Sequence, residues 1–278
     1  MISNMTRTAL AFVACLLIGV GLAACGSAAS DKTPSTGSDA SAVTPNPGGP
    51  SLGTLGKGAV PIPADAVAQV GNVQITEATL NEWMSHVLGG DAYESVGLVA
   101  PRGLVSDPPN YPRCESALRR LLASSAASHA AQFKSKCEEL YQALKQQTLT
   151  TLIESQWAVA RDAELGIKVD NQEVEREFER VKATQFRTTA ALHTYLAQRG
   201  WSLSVELELI KRDMLGARLL HKVKGVQALT RLARENPKKG KAETSCRAGY
   251  VVESCREYTT APATPSPNVL LEEIVAWR

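Results

Sequence analysis

The chain has 278 residues, with 30 Lys and Arg against 28 Asp and Glu; 44% of the residues are hydrophobic but only 5% are aromatic. That length gives one or two domains, and the apolar fraction supplies a core of Leu, Ala, Val and Ile, a composition that suits helices. The near-balance of charge, without a basic domain or long basic run, argues against nucleic acid as a partner.

The first element in chain order is an address rather than part of a fold. Arg7 is the only charge ahead of an apolar run from Ala9 to Val20, and Leu22-Ala23-Ala24-Cys25 closes that run. A short basic lead, an apolar centre and a small-residue cleavage site make an export signal. The run is shorter than the about 20 apolar residues of a membrane-spanning helix. Cysteine directly after Leu-Ala-Ala resembles the lipobox of bacterial lipoproteins. The resemblance implies that residues 1–24 are a signal peptide and that lipid is attached to Cys25. The mature chain is then extracytoplasmic and tethered to the membrane, stably so because two or more acyl chains are involved. A plain secretory signal with a chance cysteine is the alternative. Residues 26–60 are Gly, Ser, Thr, Pro and Ala with few large apolar side chains, which predicts a stalk over residues 25–65.

The folded part is expected over residues 66–258. Val67 to Ile75 alternates apolar and polar residues around Gly71-Asn72, a hairpin signal. Thr76 is placed to cap a helix carrying Leu80, Trp83, Met84 and Val87, stopped by Gly89-Gly90. Pro101, Pro108, Pro109 and Pro112 mark a loop over 91–113. Cys114 opens a helical stretch, broken or bent around Ser124-Ser125. The longest helix runs from about Gln132 to Leu165, with Leu149, Leu152, Ile153, Trp157 and Ala160 on one face and Gly166 as its stop. Asp170-Asn171-Gln172-Glu173 has the form of a capping box. It starts a helix burying Val174, Phe178 and Val181. Thr188 or Thr189 starts the next helix, with Leu192, Tyr195 and Leu196 inward and Gly200 as its stop. Ser202 caps the last long helix, whose stripe is Leu203, Leu207, Ile210, Met214 and Ala217, ended by Gly225. Lys224, Lys238, Lys239 and Lys241 around Pro237 read as a solvated turn region, with contact to an anionic envelope polymer as the alternative. Tyr250-Val251-Val252 reads as a short strand. Pro262, Pro265 and Pro267 then break residues 259–278 into a C-terminal tail. The fold class is therefore mainly α, with a short β-hairpin and a short C-terminal strand.

Cys15 leaves with the signal and Cys25 is lipidated, so four cysteines remain: Cys114, Cys137, Cys246 and Cys255. An even number in an exported chain reads as disulfides. Three pairings exist; short loops close most easily, which favours Cys114–Cys137 with Cys246–Cys255. A four-Cys zinc site is the competing reading, and it lacks the usual Cys-x-x-Cys spacing.

The order of these pieces resembles the N-terminal chaperone domain of SurA- and PrsA-type foldases. The matching residues are Val67 to Thr76, Leu152 to Arg180, and Ala191 to Leu196 with Gly200 and Ser202. Pro108-Pro109-Asn110-Tyr111 with Cys114, and Lys241 to Cys246 with Gly249 to Val252 and Cys255, look like an actinobacterial-type lipoprotein branch. The resemblance covers most of residues 66–258. It implies a helical module, closed by short strands, that holds unfolded or partly folded exported clients. In the fuller family a parvulin prolyl-isomerase domain follows the last long helix, here at about Lys224. Such a domain is about 90 residues, near the lower end of usual domain size, and only 54 residues follow Lys224. A branch without the parvulin insert is therefore expected.

No catalytic constellation stands out. His86, His129, His193 and His221 show no zinc spacing, and there is neither a Gly-x-Ser-x-Gly elbow nor a phosphate loop. Glu173, Glu175, Glu177 and Glu179 with Arg176 and Arg180 read as a charged outer face. Trp83, Trp157, Trp201 and Met214 read as core residues; Trp201, at a loop edge, and Met214, with its adaptable side chain, are the better candidates for client contacts. No cofactor and no metal site are expected. The leading function is a lipid-anchored, non-catalytic chaperone or foldase-like protein whose partners are unfolded exported proteins. The alternatives are a peptidyl-prolyl isomerase and a structural envelope lipoprotein with a specific partner.

Overall fold

The structure, a computed structural model, describes residues 62–88, 103–259 and 264–277. The signal peptide, Cys25, the stalk up to residue 61 and the expected Gly89-Gly90 stop lie outside the described residues.

The hairpin forms as its alternation dictates. β1 (Ala66–Val70) pairs antiparallel with β2 (Val73–Thr76) across Gly71, whose φ of 55° suits glycine. The Thr76 hydroxyl accepts from the Thr79 amide at 3.1 Å and so caps α1 (Glu77–Leu88), which buries Leu80, Trp83 and Met84. α2 (Pro112–Leu122) starts with proline at its first turn, where no amide is needed. The buried Asp107 carboxylate accepts from the amides of Arg113 and Cys114 at 3.2 and 2.8 Å. Two 3₁₀ turns flank the one-turn α3 (Ala126–His129). That break contains Ser124-Ser125, as expected. α4 (Phe133–Glu164) is the 32-residue spine. α5 (Asn171–Gln185) carries a complete capping box between Asp170 and Glu173. α6 (Thr189–Arg199) and α7 (Leu203–Lys222) are capped by the hydroxyls of Thr188 and Ser202. α8 (Val226–Ala242), β3 (Thr244–Cys246) and α9 (Pro267–Val275) complete the chain order. β3 pairs antiparallel with the free side of β1, giving the sheet order β2-β1-β3. The molecule is thus mainly α with a small antiparallel sheet.

Two hydrophobic cores result. The larger gathers β1, α1, α2, the middle of α4, Val251 and Val252, and Leu270, Leu271 and Ile274 of α9. The smaller joins Ile167, Val169 and Val174 to Ile210, Leu215 and Leu219 of α7. Disulfides tie the larger core. Cys114–Cys137 fastens α2 to α4 with a Cα–Cα distance of 6.0 Å, and Cys246–Cys255 closes the loop after β3 at 5.8 Å.

Five sequence expectations are corrected. Ala160, expected on the buried face of α4, is exposed, while Leu149, Leu152, Ile153 and Trp157 are buried there. In α7, Leu203 is 42% exposed and Ala217 is exposed, while Val205, Ile210, Leu215 and Leu219 are the buried positions. The stripe rotates because Val205 belongs to the larger core and the other three to the smaller one. The expected turn around Lys238, Lys239 and Lys241 is instead helix, continuous through Pro237. Helix α8 packs on α4, and the lost proline amide is offset by close contact: a Cβ at Gly240 would fall 2.3 Å from the Trp157 ring. Tyr250-Val251-Val252 is not a strand; the strand is Thr244–Cys246. Valines 251 and 252 are apolar because they are buried, not because they pair. Finally, the expected tail contains α9, where Pro267 occupies the first helical turn instead of breaking the chain. Its buried face completes the larger core, so the folded domain extends beyond residue 258.

Candidate functional site

A cluster of aromatic side chains lies where α1, α6 and α7 meet. Trp83 and His86 are three residues apart on α1 and so share a face; their rings lie 5.7 Å apart, edge to face. The left-handed Gly200 ends α6, and the Trp201 amide donates back to the Leu196 carbonyl at 2.9 Å. This turn swings the Trp201 indole onto His86, ring centroids 4.3 Å apart. Its Nε1 donates to the His86 carbonyl at 3.0 Å. That carbonyl is in the last turn of α1, where the helix supplies no amide partner. Tyr195 sits edge-on to Trp201 at 5.8 Å, and Phe186 edge-on to Tyr195 at 5.2 Å. Five rings therefore form one continuous ladder: Trp83, His86, Trp201, Tyr195 and Phe186.

Two guanidinium groups flank it. Arg199 lies 4.2 Å over Tyr195 and 5.6 Å from Trp201; Arg212 lies 4.3 Å over Trp83. Arg212 is held by Ser155 at 2.8 Å and Glu208 at 3.3 Å. Burial, helped by the charge of Arg212, holds the His86 imidazole down at about 4. It is therefore neutral at neutral pH and acts as another aromatic plate. Trp83 is buried, whereas His86, Phe186, Tyr195 and Trp201 are each half-buried. Such a surface can take apolar and aromatic side chains by stacking. It contains no nucleophile paired with a base.

The remaining residues singled out by sequence are distributed elsewhere. Trp201 joins the ladder, but Met214 packs beside the smaller core, so the two are not brought into one cluster. Trp157 is buried and its Nε1 donates to the Thr244 hydroxyl at 2.8 Å, linking α4 to β3. His129 stacks on Trp277 at 4.5 Å, clasping α3 to the end of α9; His193 and His221 are exposed. Glu173 serves the α5 cap and pairs with Arg218, while Glu177 and Glu179 pair with Arg180 and Lys182. All four paired cysteines are buried. Among the described residues no group of His, Cys, Asp and Glu is placed to hold a metal ion.

A second polar cluster is self-satisfied. Glu77 pairs with Arg247 at 2.9 Å, and hydrogen bonds from Arg247 and Tyr250 hold its carboxyl below the usual range. Lys145 lies 3.8 Å over the Tyr250 ring and donates to the Gly249 carbonyl at 3.3 Å. Burial lowers its ammonium pKa. The cluster clamps the Cys246–Cys255 loop to α1 and α4.

Sequence reading did not assemble the ladder. The local pairs are visible in the chain, Trp83 with His86 and Tyr195 with Arg199 at one-turn spacing, but α1 and Trp201 are 115 residues apart where they meet. Among the described residues no helix is long and apolar enough to cross a membrane. No model of a known family, no curated protein and no solved structure matches this chain.

Proposed function

We propose that the protein is a membrane-anchored extracytoplasmic chaperone of foldase-like type that binds unfolded exported proteins and acts without catalysis. The observation that carries this reading is the half-buried aromatic ladder. Half-buried rings of different size and tilt suit clients that share apolar side chains but no sequence. Two further features support it. The resemblance implies a helical module closed by short strands, and here β3 returns from behind α8 to close the sheet on β1. Two disulfides are compatible with an oxidising compartment.

The test sets two assays side by side on the purified protein: suppression of aggregation of an unfolded exported protein, and acceleration of prolyl isomerisation, which is slow without catalysis. Suppression without isomerisation is the expected result, weakened by Tyr195→Ala. Parvulin-like turnover of a proline peptide would favour the isomerase, and inertness in both assays a structural envelope lipoprotein with one partner. The anchor is tested by cell fractionation, where Cys25→Ser is expected to lose its lipid; a variant labelled with lipid like the parent refutes that assignment.

A further inference from the structure

The face of α8 that points away from the core is basic. Leu232 packs beside the smaller core, and Gly240 is buried against the Trp157 ring of α4. At 100° per residue, Arg231, Arg234, Lys238 and Lys241 fall within one arc on the opposite side of the helix. Arg231, Arg234 and Lys238 are exposed. Lys239, off that arc, pairs with Glu164, and Lys241 lies 5.2 Å over the Tyr258 ring. Among the described residues, Arg231, Arg234 and Lys238 have no ion-pair partner. The acid within α8 is Glu235, at the edge of the arc, and exposed Glu243 follows the helix. Val226, at the start of α8, is 78% exposed.

We propose that this stripe docks the domain on anionic phospholipid headgroups of the membrane that carries its anchor. The inference rests on the anchored reading above. From Cys25 to the first described residue is 37 residues, a separation that covalent geometry limits to at most about 130 Å. The domain is thus kept near the bilayer at high effective concentration, where weak charge attraction is enough to orient it. Each Lys or Arg at an anionic surface adds attraction that falls away within a Debye length, so three exposed cations in line select a face. The ladder uses α1, α6 and α7, none of which carries the stripe, so docking through α8 leaves the client surface uncovered by residues of that helix.

The test compares the full chain with its Arg231→Glu, Arg234→Glu, Lys238→Glu variant. Each is sedimented with phosphatidylcholine vesicles and with vesicles that also contain phosphatidylglycerol, at low and high salt. Association through the N-terminal segment, with Arg7, Lys32 and Lys57, is common to both proteins, so the difference between them in preference for anionic vesicles isolates the stripe. The parent is expected to prefer anionic vesicles at low salt and lose the preference at high salt; the variant should lose it by about tenfold to a hundredfold. Arg231→Lys with Arg234→Lys is expected to keep it. An unchanged preference in the triple variant overturns the proposal. So does binding to soluble inorganic polyphosphate without any vesicle preference, which would assign the stripe to a polyanion instead. Loss of the anchor is read separately, from fractionation of Cys25→Ser, and leaves the vesicle preference as it was.

Discussion

The core around α4 draws its walls from distant parts of the chain, whereas the buried residues of the core around α7 lie between Ile167 and Leu219. The larger core is closed by two disulfides, by β3 returning to β1, and by α9 docking on α4. The smaller core has no disulfide. It relies on side-chain caps at Asp170, Thr188 and Ser202 and on surface pairs such as Glu173–Arg218. Caps contribute about 1 kcal/mol each and exposed pairs less. The difference teaches that this molecule has a covalently fastened body and a locally built arm. Such an arm opens at lower free energy than the body. The aromatic ladder sits on the seam, with Trp83 in the larger core and Trp201, Tyr195 and Phe186 supplied by the arm.

The largest expected effect strikes where α8 packs on α4. Gly240→Leu forces side-chain atoms into the Trp157 ring and should cost roughly 3 kcal/mol or more, read as a fall in the urea midpoint. A change below about 0.5 kcal/mol would show that α8 is not pinned there. Next is removal of Cys114–Cys137 by double substitution with Ala. The bridge closes a loop of 23 residues, so its loss should cost about 3 kcal/mol on the chain-entropy account. Hydrogen exchange should speed up in α2 and α4 while local opening of α5 stays at the parental rate. Equal acceleration throughout would abolish the distinction between body and arm.

Two smaller changes address the arm and the seam. Asp170→Ala removes the side-chain acceptor of the capping box and leaves the Glu173 carboxylate on the residue-170 amide, so it should cost about 1 kcal/mol. The loss is expected as faster exchange in α5 with α2 unchanged. At the seam, His86 is neutral in the fold, and its pKa there, about 4, lies below the ordinary value of 6.5. The unfolded chain therefore binds the extra proton first as pH falls. The stabilisation is complete above pH 6.5, declines as pH drops toward 4, and falls no further below that. Trp201, whose ring lies tilted against this one at 4.3 Å, should report the change in fluorescence. His86→Phe is expected to flatten the profile between those pH values; a slope equal to the parent's would place the titrating group elsewhere.

What sequence reading reaches and misses in this molecule follows the distance over which each signal acts. The helix stop at Gly200 and the capping box at Asp170 are decided within four residues, and each forms where the pattern puts it. The two cysteine pairs close over short loops, and the structure's pairing is compatible with that expectation. Helix α8 is the opposite case: Pro237 and Gly240 both argue locally for a turn, and the argument is sound for an isolated peptide. The helix persists because glycine is what the Trp157 ring requires beside it. Phe186, Tyr195, Arg199 and Arg212 went unread as site residues for a similar reason, since each is an ordinary helix or loop residue until α1 lies against it.

By itself the sequence determined the hairpin around Gly71-Asn72, the spine from Phe133 to Glu164, the capped helices after it and the mainly α class. These depend on periodicity and capping chemistry between near neighbours. Only the tertiary structure decided that Thr244–Cys246 rather than residues 250–252 is the strand, that the proline-rich end folds back as α9, and that five rings from α1, α6 and the loops on either side of α6 line up. Strand pairing, docking of an apolar face and ring stacking need a partner brought from far along the chain. Here Trp157 meets Thr244 across 87 residues and Trp201 meets His86 across 115. A short window of sequence holds one side of each such contact and cannot weigh the free energy of the pair.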